Sequence, residues 1–102
     1  MEEDLKGNIL KSETEAKVQS KIIKYLDKEG WFVIRLTKTN ISGIPDLLAL
    51  KSNEIPFFIE CKKTKGGILS PLQDYIIRKL RKLGFIAIVA NSLEVVKECL
   101  KN

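Results

Sequence analysis

The run FFIECKK, residues 57–63, sets a carboxylate, Glu60, at the end of a stretch that is otherwise aromatic and apolar. Aromatic and β-branched residues at that density predict a strand. Side chains along a strand alternate faces, so Glu60 and Lys62 point one way and Cys61 the other. A charge in a strand that reads as buried needs a partner or a metal. Upstream, Gly43-Ile44-Pro45-Asp46 places a second acid directly after a Gly-x-Pro turn and before another short apolar run. Two carboxylates and an ammonium are thereby aimed at one spot. The usual neutraliser of paired carboxylates is a hard divalent cation such as magnesium. The plainer alternatives are an ion pair between Glu60 and Lys62 and a turn capped by Asp46.

The remaining elements follow from local signals. Ser12 or Thr14 can cap a first helix with Glu13 and Glu15 in its first turn, and Val18, Ile22, Ile23 and Leu26 recur at helical spacing until Gly30 ends it. Residues 31–36 (WFVIRL) read as a first strand, 46–50 as a second and 57–63 as a third, joined by the short connections of an antiparallel meander. Gly66-Gly67 marks an exposed loop, and Ser70-Pro71 is a helix start, cap then proline. That helix runs to about Lys82 with Leu72, Ile76, Leu80 and Leu83 on its apolar stripe. Residues 85–90 (FIAIVA) form the continuous apolar run of a doubly covered strand, and residues 93–100 a terminal helix. The order α-β-β-β-α-β-α, with a helix between the third and fourth strands, predicts an α/β domain whose mixed central sheet is flanked by helices. Tyr25, Tyr75 and Trp31 are expected in the core.

At 102 residues the chain is expected to form one domain, residues 1–102, with 1–11 a loose arm. Eighteen Lys and Arg against thirteen Asp and Glu give a net charge of +5, which favours a polyanionic partner. Much of that charge, Lys62, Lys63, Lys65, Arg78, Lys79, Arg81 and Lys82, lies in sequence just after Glu60, where a phosphate backbone would approach. With no His anywhere, a His general base and a His-ligated zinc site are excluded, and proton transfer falls to carboxylate, lysine, tyrosine or metal-bound water. Cys61 and Cys99 have no metal-ligand spacing and read as small buried residues. No phosphate-cradling P-loop is present, so no nucleotide cofactor is expected. No apolar run is long enough for a membrane span, and MEEDLKGNIL lacks signal-peptide character, so a cytoplasmic location is expected, with phage origin an open possibility.

Taken together, Gly43-Ile44-Pro45-Asp46-Leu47, Ile59-Glu60-Cys61-Lys62 and Gly67-x-Leu69-Ser70-Pro71-x-Gln73, preceded by a first helix with Glu15 and Gln19, resemble the VRR-NUC domains of the PD-(D/E)XK nuclease superfamily. The resemblance implies a restriction-endonuclease-like fold and metal-dependent hydrolysis of DNA. It implies that Asp46 and Glu60 hold Mg2+ or Mn2+, aided by the Cys61 carbonyl, and that Lys62 positions the attacking water and steadies developing charge. Glu15 resembles the first-helix acid, although Glu13 could equally fill that place, and Gln73 resembles the glutamine near the site. Small members of this kind imply a homodimer that cuts branched DNA, a four-way junction or a flap. The chemistry agrees: a metal must both screen an anionic phosphodiester and lower the pKa of water.

Lys63 and Lys65 on the glycine loop, Arg78 on the basic face of the second helix, Lys38 in the loop after the first strand and Ser70 are the expected DNA contacts. Two rival readings remain: an archaeal-type Holliday-junction resolvase or restriction-like nuclease with the same trio, and a catalytically silent DNA-binding module of the same fold.

Overall fold

The computed structural model describes residues 12–101, so the arm expected over residues 1–11 lies outside the described part. The elements are α1 (Glu15–Lys28), β1 (Phe32–Arg35), β2 (Leu47–Leu50), β3 (Phe57–Cys61), α2 (Pro71–Lys82), β4 (Ile86–Ala90) and α3 (Leu93–Leu100). Their order is the one the sequence predicts. They build a mixed four-stranded sheet in the order β1-β2-β3-β4. The first two pairings are antiparallel and β3 runs parallel to β4. A connection that returns parallel needs a crossover, and α2 supplies it.

The sheet divides the core in two. On one face Val18, Ile22 and Leu26 of α1 and Val96 of α3 pack on Leu47, Ala49, Phe57, Ile59, Cys61 and Ala90. On the other, Ile76, Ile77 and Leu80 of α2 pack on Ala87, with Ile44, Phe58, Leu69 and Val89 at the edges. The alternation along β3 is therefore real: Phe57, Ile59 and Cys61 look toward α1 and α3, whereas Phe58 and Glu60 look toward α2. Each fully buried Ile or Leu in these clusters contributes about 1.5–3 kcal/mol.

Both main helices start where their caps dictate. The Thr14 hydroxyl accepts from Lys17 N, and Glu13 therefore precedes the first turn of α1 rather than lying in it. Ser70 and Gln73 form a reciprocal capping box at α2, ahead of Pro71. Trp31 precedes β1 and is buried, packing edge-on against Phe57 at 6.0 Å.

Three expectations about packing are corrected. Leu72 and Leu83 are exposed and Ile77 is buried in their place, so the covered stripe of α2 is Ile76, Ile77 and Leu80. Tyr75 is 58% exposed, not core, because it lies on the side of α2 that the sheet does not reach. Cys99 is only half-buried.

Candidate active site

Register places the acids. Leu47 pairs with Ile59, and one step further along the antiparallel ladder sets Asp46 beside Glu60 on the face that looks toward α2. Asp46 is held at both ends. Its carbonyl accepts from Leu36 N at 2.8 Å, and its Oδ2 accepts from the Cys61 backbone N–H at 2.8 Å. Gly43 allows this approach: at φ +83° a side chain would be strained, and a Cβ there would come within 2.8 Å of Leu72 Cγ. The turn before Asp46 is thus pressed against the start of α2.

Glu60 is 2% exposed. Its Oε2 accepts from Gln73 Nε2 at 3.1 Å and lies 3.4 Å from Lys62 Nζ. Its Oε1 is buried with no hydrogen-bond partner. Burial and then the negative charge of Asp46 push the Glu60 carboxyl up to about 7, against the opposing pull of Lys62, with a smaller push from Glu15. Lys62 follows β3, its N–H continuing the ladder to Ala90 O at 2.9 Å, and its side chain returns to the same face as Glu60. Lys62 Nζ also donates to Gln73 Oε1 at 3.0 Å. Cys61 points to the opposite core, where burial and then the nearby carboxylates push its thiol up to about 12, leaving it protonated and inert at neutral pH.

Four of the five side chains expected to act are therefore joined: Asp46 through the Cys61 main chain, and Glu60, Lys62 and Gln73 directly to one another. Glu15 opens α1, exposed, and its charge reaches Glu60 and Cys61. Glu13, the other candidate for the first-helix acid, is committed elsewhere, ion-paired to Lys21.

The expected DNA contacts divide. Lys38, Lys63 and Lys65 are exposed. Arg78 is exposed but paired with Asp74 at 2.9 Å, and the Ser70 hydroxyl is occupied as the helix cap. Sequence reasoning missed Thr64, which is buried just behind Lys62. It clamps the loop to the start of α1, its N–H donating to Glu13 O at 3.1 Å and its Oγ1 accepting from Glu13 N at 3.2 Å. Asn91 Nδ2 donates to the Thr64 carbonyl at 3.3 Å from the other side. No local pattern in TKGG signals such a role.

The donor set suits a hard cation. Asp46 and Glu60 offer carboxylate oxygens, and the orphaned buried Oε1 of Glu60 is a polar atom that a bound cation would satisfy. Among the described residues no cluster of three or more His, Cys, Asp or Glu side chains forms a ready metal cage. Magnesium accepts such a sparse set because it keeps several waters and binds through one or two carboxylates plus substrate phosphate.

A mixed sheet with flanking helices that brings an acid at a strand start, an acid and a lysine at a strand end and a helix-borne glutamine together defines a nuclease core of the PD-(D/E)XK type. The sequence profile of the VRR-NUC domain matches residues 3–94, and the chain belongs to that family. A solved structure described as a VRR_NUC domain superposes with a TM-score of 0.77 at 26% identity, covering 88% of this chain and 98% of its own. No curated protein sequence matches the chain. Membership implies nuclease activity on DNA, and nucleases of this type are generally dependent on a divalent metal.

Proposed function

We propose that this protein is a metal-dependent, structure-selective DNA endonuclease that resolves four-way junctions as a homodimer, with Asp46, Glu60 and Lys62 as its catalytic trio. The observation that carries the reading is the buried Glu60, one oxygen bonded by Gln73 and Lys62 and the other without a partner. The ion pair and the amide engage one oxygen, and the other is the atom that a bound cation would take.

In this reading Asp46, Glu60 and the Cys61 carbonyl hold Mg2+ or Mn2+, which when bound screens the phosphate oxygens and lowers the pKa of water. Lys62, a compact ammonium fixed by Gln73, orients the attacking water and offsets charge building on the phosphate. Glu15 adds negative potential at the rim of the site. Lys38, Lys63 and Lys65 take the flanking phosphates.

Two-fold symmetric cleavage of a junction needs two sites, and this chain carries one. The uncovered apolar side of α2, where Leu72, Tyr75 and Leu83 lie exposed, gives self-association a surface.

The test is a cleavage panel of four-way junction, fork, flap and plain duplex with Mg2+ or Mn2+, with EDTA as control. Metal-dependent cutting that favours the branched forms is expected. Binding without any cutting would overturn the catalytic reading in favour of a silent DNA-binding module.

A further inference from the structure

The loop between β3 and α2 carries a large apolar side chain into solvent at the rim of the site. Ile68 is 82% exposed, more than any other large apolar residue among those described. A single exposed apolar residue is ordinarily of no consequence. The way this one is held sets it apart.

Both ends of its loop are built into the site, since Lys62 and Gln73 each touch Glu60 and each other. The first loop residues are pinned by Thr64, through its bonds to Glu13 and Asn91. Gly67 then folds back onto the site lysine, so closely that a Cβ there would fall 2.8 Å from Lys62 Cβ and 3.1 Å from Lys63 O. Leu69, on the other side, packs into the cluster beneath α2. Ile68 is thus clamped between two anchored neighbours and presented outward, instead of trailing on a loose loop. Adjacent Cα atoms are about 3.8 Å apart, so its Cα lies within about 8 Å of Lys62 Cβ. The exposed Lys63 and Lys65 stand on the same loop and suit the phosphates on either side.

We propose that Ile68 is an unstacking wedge, which enters a base step beside the phosphate held at Asp46 and Glu60 and so favours DNA already open at a branch. Apolar wedges of this kind part stacked bases in duplexes, and parting is easiest where stacking is already broken. The proposal rests on the nuclease reading of the same site and adds how it selects its substrate.

The experiment uses the full chain carrying Asp46→Asn, so that DNA binds without being cut, with and without Ile68→Ala, on a four-way junction and a plain duplex. Each DNA carries 2-aminopurine at successive positions near the expected cut. With Ile68 present, fluorescence at one position of the junction is expected to rise on binding. With Ile68→Ala that rise is lost. In proteins with the native Asp46, Ile68→Ala is expected to narrow the junction-over-duplex cleavage ratio about tenfold, and Ile68→Phe to preserve it, the parting of one step being large enough for a change of that size. Equal fluorescence and an equal ratio with and without Ile68, while both proteins bind DNA, would overturn the wedge and leave the nuclease reading standing. Failure of the native chain to bind or cut any DNA would overturn both.

Discussion

Gln73 Nε2 donates to Glu60 Oε2 at 3.1 Å while its Oε1 accepts from Lys62 Nζ at 3.0 Å, so one amide, carried on the first turn of α2, fixes both the acid and the lysine of β3. The same Oε1 accepts from Ser70 N at 3.0 Å, which is half of the helix cap. Helix start and site geometry therefore depend on a single side chain, and the rotamer that suits one suits the other.

Gln73→Ala should consequently produce two effects. Loss of the Gln73 half of the cap, with the Ser70 hydroxyl still accepting from the backbone of residue 73, costs about 0.5–1.5 kcal/mol, read as a lower melting temperature. Release of Glu60 and Lys62 weakens metal affinity roughly 10–100-fold, as loss of supporting hydrogen bonds around a metal site does. Isothermal titration of Mn2+ measures the second effect apart from the first. Unchanged Mn2+ affinity would mean that Glu60 is held by packing alone.

Asp46 separates structure from chemistry. Its Oδ2 satisfies the Cys61 N–H at 2.8 Å, so Asp46→Ala would strand a backbone donor at a cost of about 1–3 kcal/mol. Asp46→Asn keeps an acceptor and removes the charge. Asn at this position should fold with near-native stability, abolish cutting and leave junction binding in a gel shift largely intact. Lys62→Ala should likewise abolish cutting without abolishing binding. Normal cleavage by both variants would sink the site assignment.

The order of elements was legible because its punctuation is chemical. Gly30 and Gly84 take positive φ where helices end, and Ser70-Pro71 opens α2. The meeting of Glu60 and Lys62 was legible because strand alternation is strict: the two had to share a face. Distances along the chain do not reveal what reaches across it. Ser70-x-x-Gln73 predicts a cap, yet nothing local says that the same amide spans to β3, and Thr64 offers no pattern at all. The α2 stripe was misread for a related reason. Leu72, Ile76, Ile77, Leu80 and Leu83 are all apolar, and which of them are covered depends on how the helix rolls on the sheet, which is settled by Ala87, Phe58 and Leu69.

Gly43 is the hinge between the Asp46 turn and α2. With φ at +83° and a Cβ that would lie 2.8 Å from Leu72 Cγ and 3.2 Å from the Leu72 main chain, Gly43→Ala meets both backbone strain and a clash. About 1–3 kcal/mol of destabilisation is expected from the strain alone. Where the turn gives way rather than Leu72, Asp46 three residues on moves with it, so cleavage should fall even at temperatures where the variant is fully folded by circular dichroism. Full activity of the folded variant would show that the turn moves without carrying Asp46.

The uncovered side of α2 predicts the oligomeric state. Leu72, Tyr75 and Leu83 are 46%, 58% and 63% exposed, and Ile41 beside them is 44% exposed. A stable dimer buries about 800 Å² per partner around such an apolar centre. Light scattering on the native chain should give twice the monomer mass, and Tyr75→Lys with Leu83→Lys should give the monomer. These side chains are away from the core, so the double variant should fold and nick plasmid DNA while losing paired cuts in a junction. A native chain that is monomeric at micromolar concentration would remove the homodimer from the proposal.

Glu60 ties stability to pH and to metal together. Its carboxyl is raised from 4.5 to about 7 by burial first and by Asp46 second. A carboxyl raised in the folded state binds its proton more tightly there than in the unfolded chain. Its contribution to stability is therefore full below about pH 4.5 and is lost as pH rises through about 7, amounting to roughly 3 kcal/mol at one pKa unit per 1.36 kcal/mol. Metal-free protein should thus lose melting temperature between about pH 5 and 7.5, and Glu60→Gln, which cannot ionise, should lose much less over the same range. Cation binding reverses the sign, because it needs the ionised form and stabilises only the folded state. Millimolar Mg2+ should raise the melting temperature of the native chain at pH 7.5, do little at pH 5, and do nothing for Glu60→Gln at either. A pH-independent effect of Mg2+, or one that survives Glu60→Gln, would place the cation somewhere other than on Glu60.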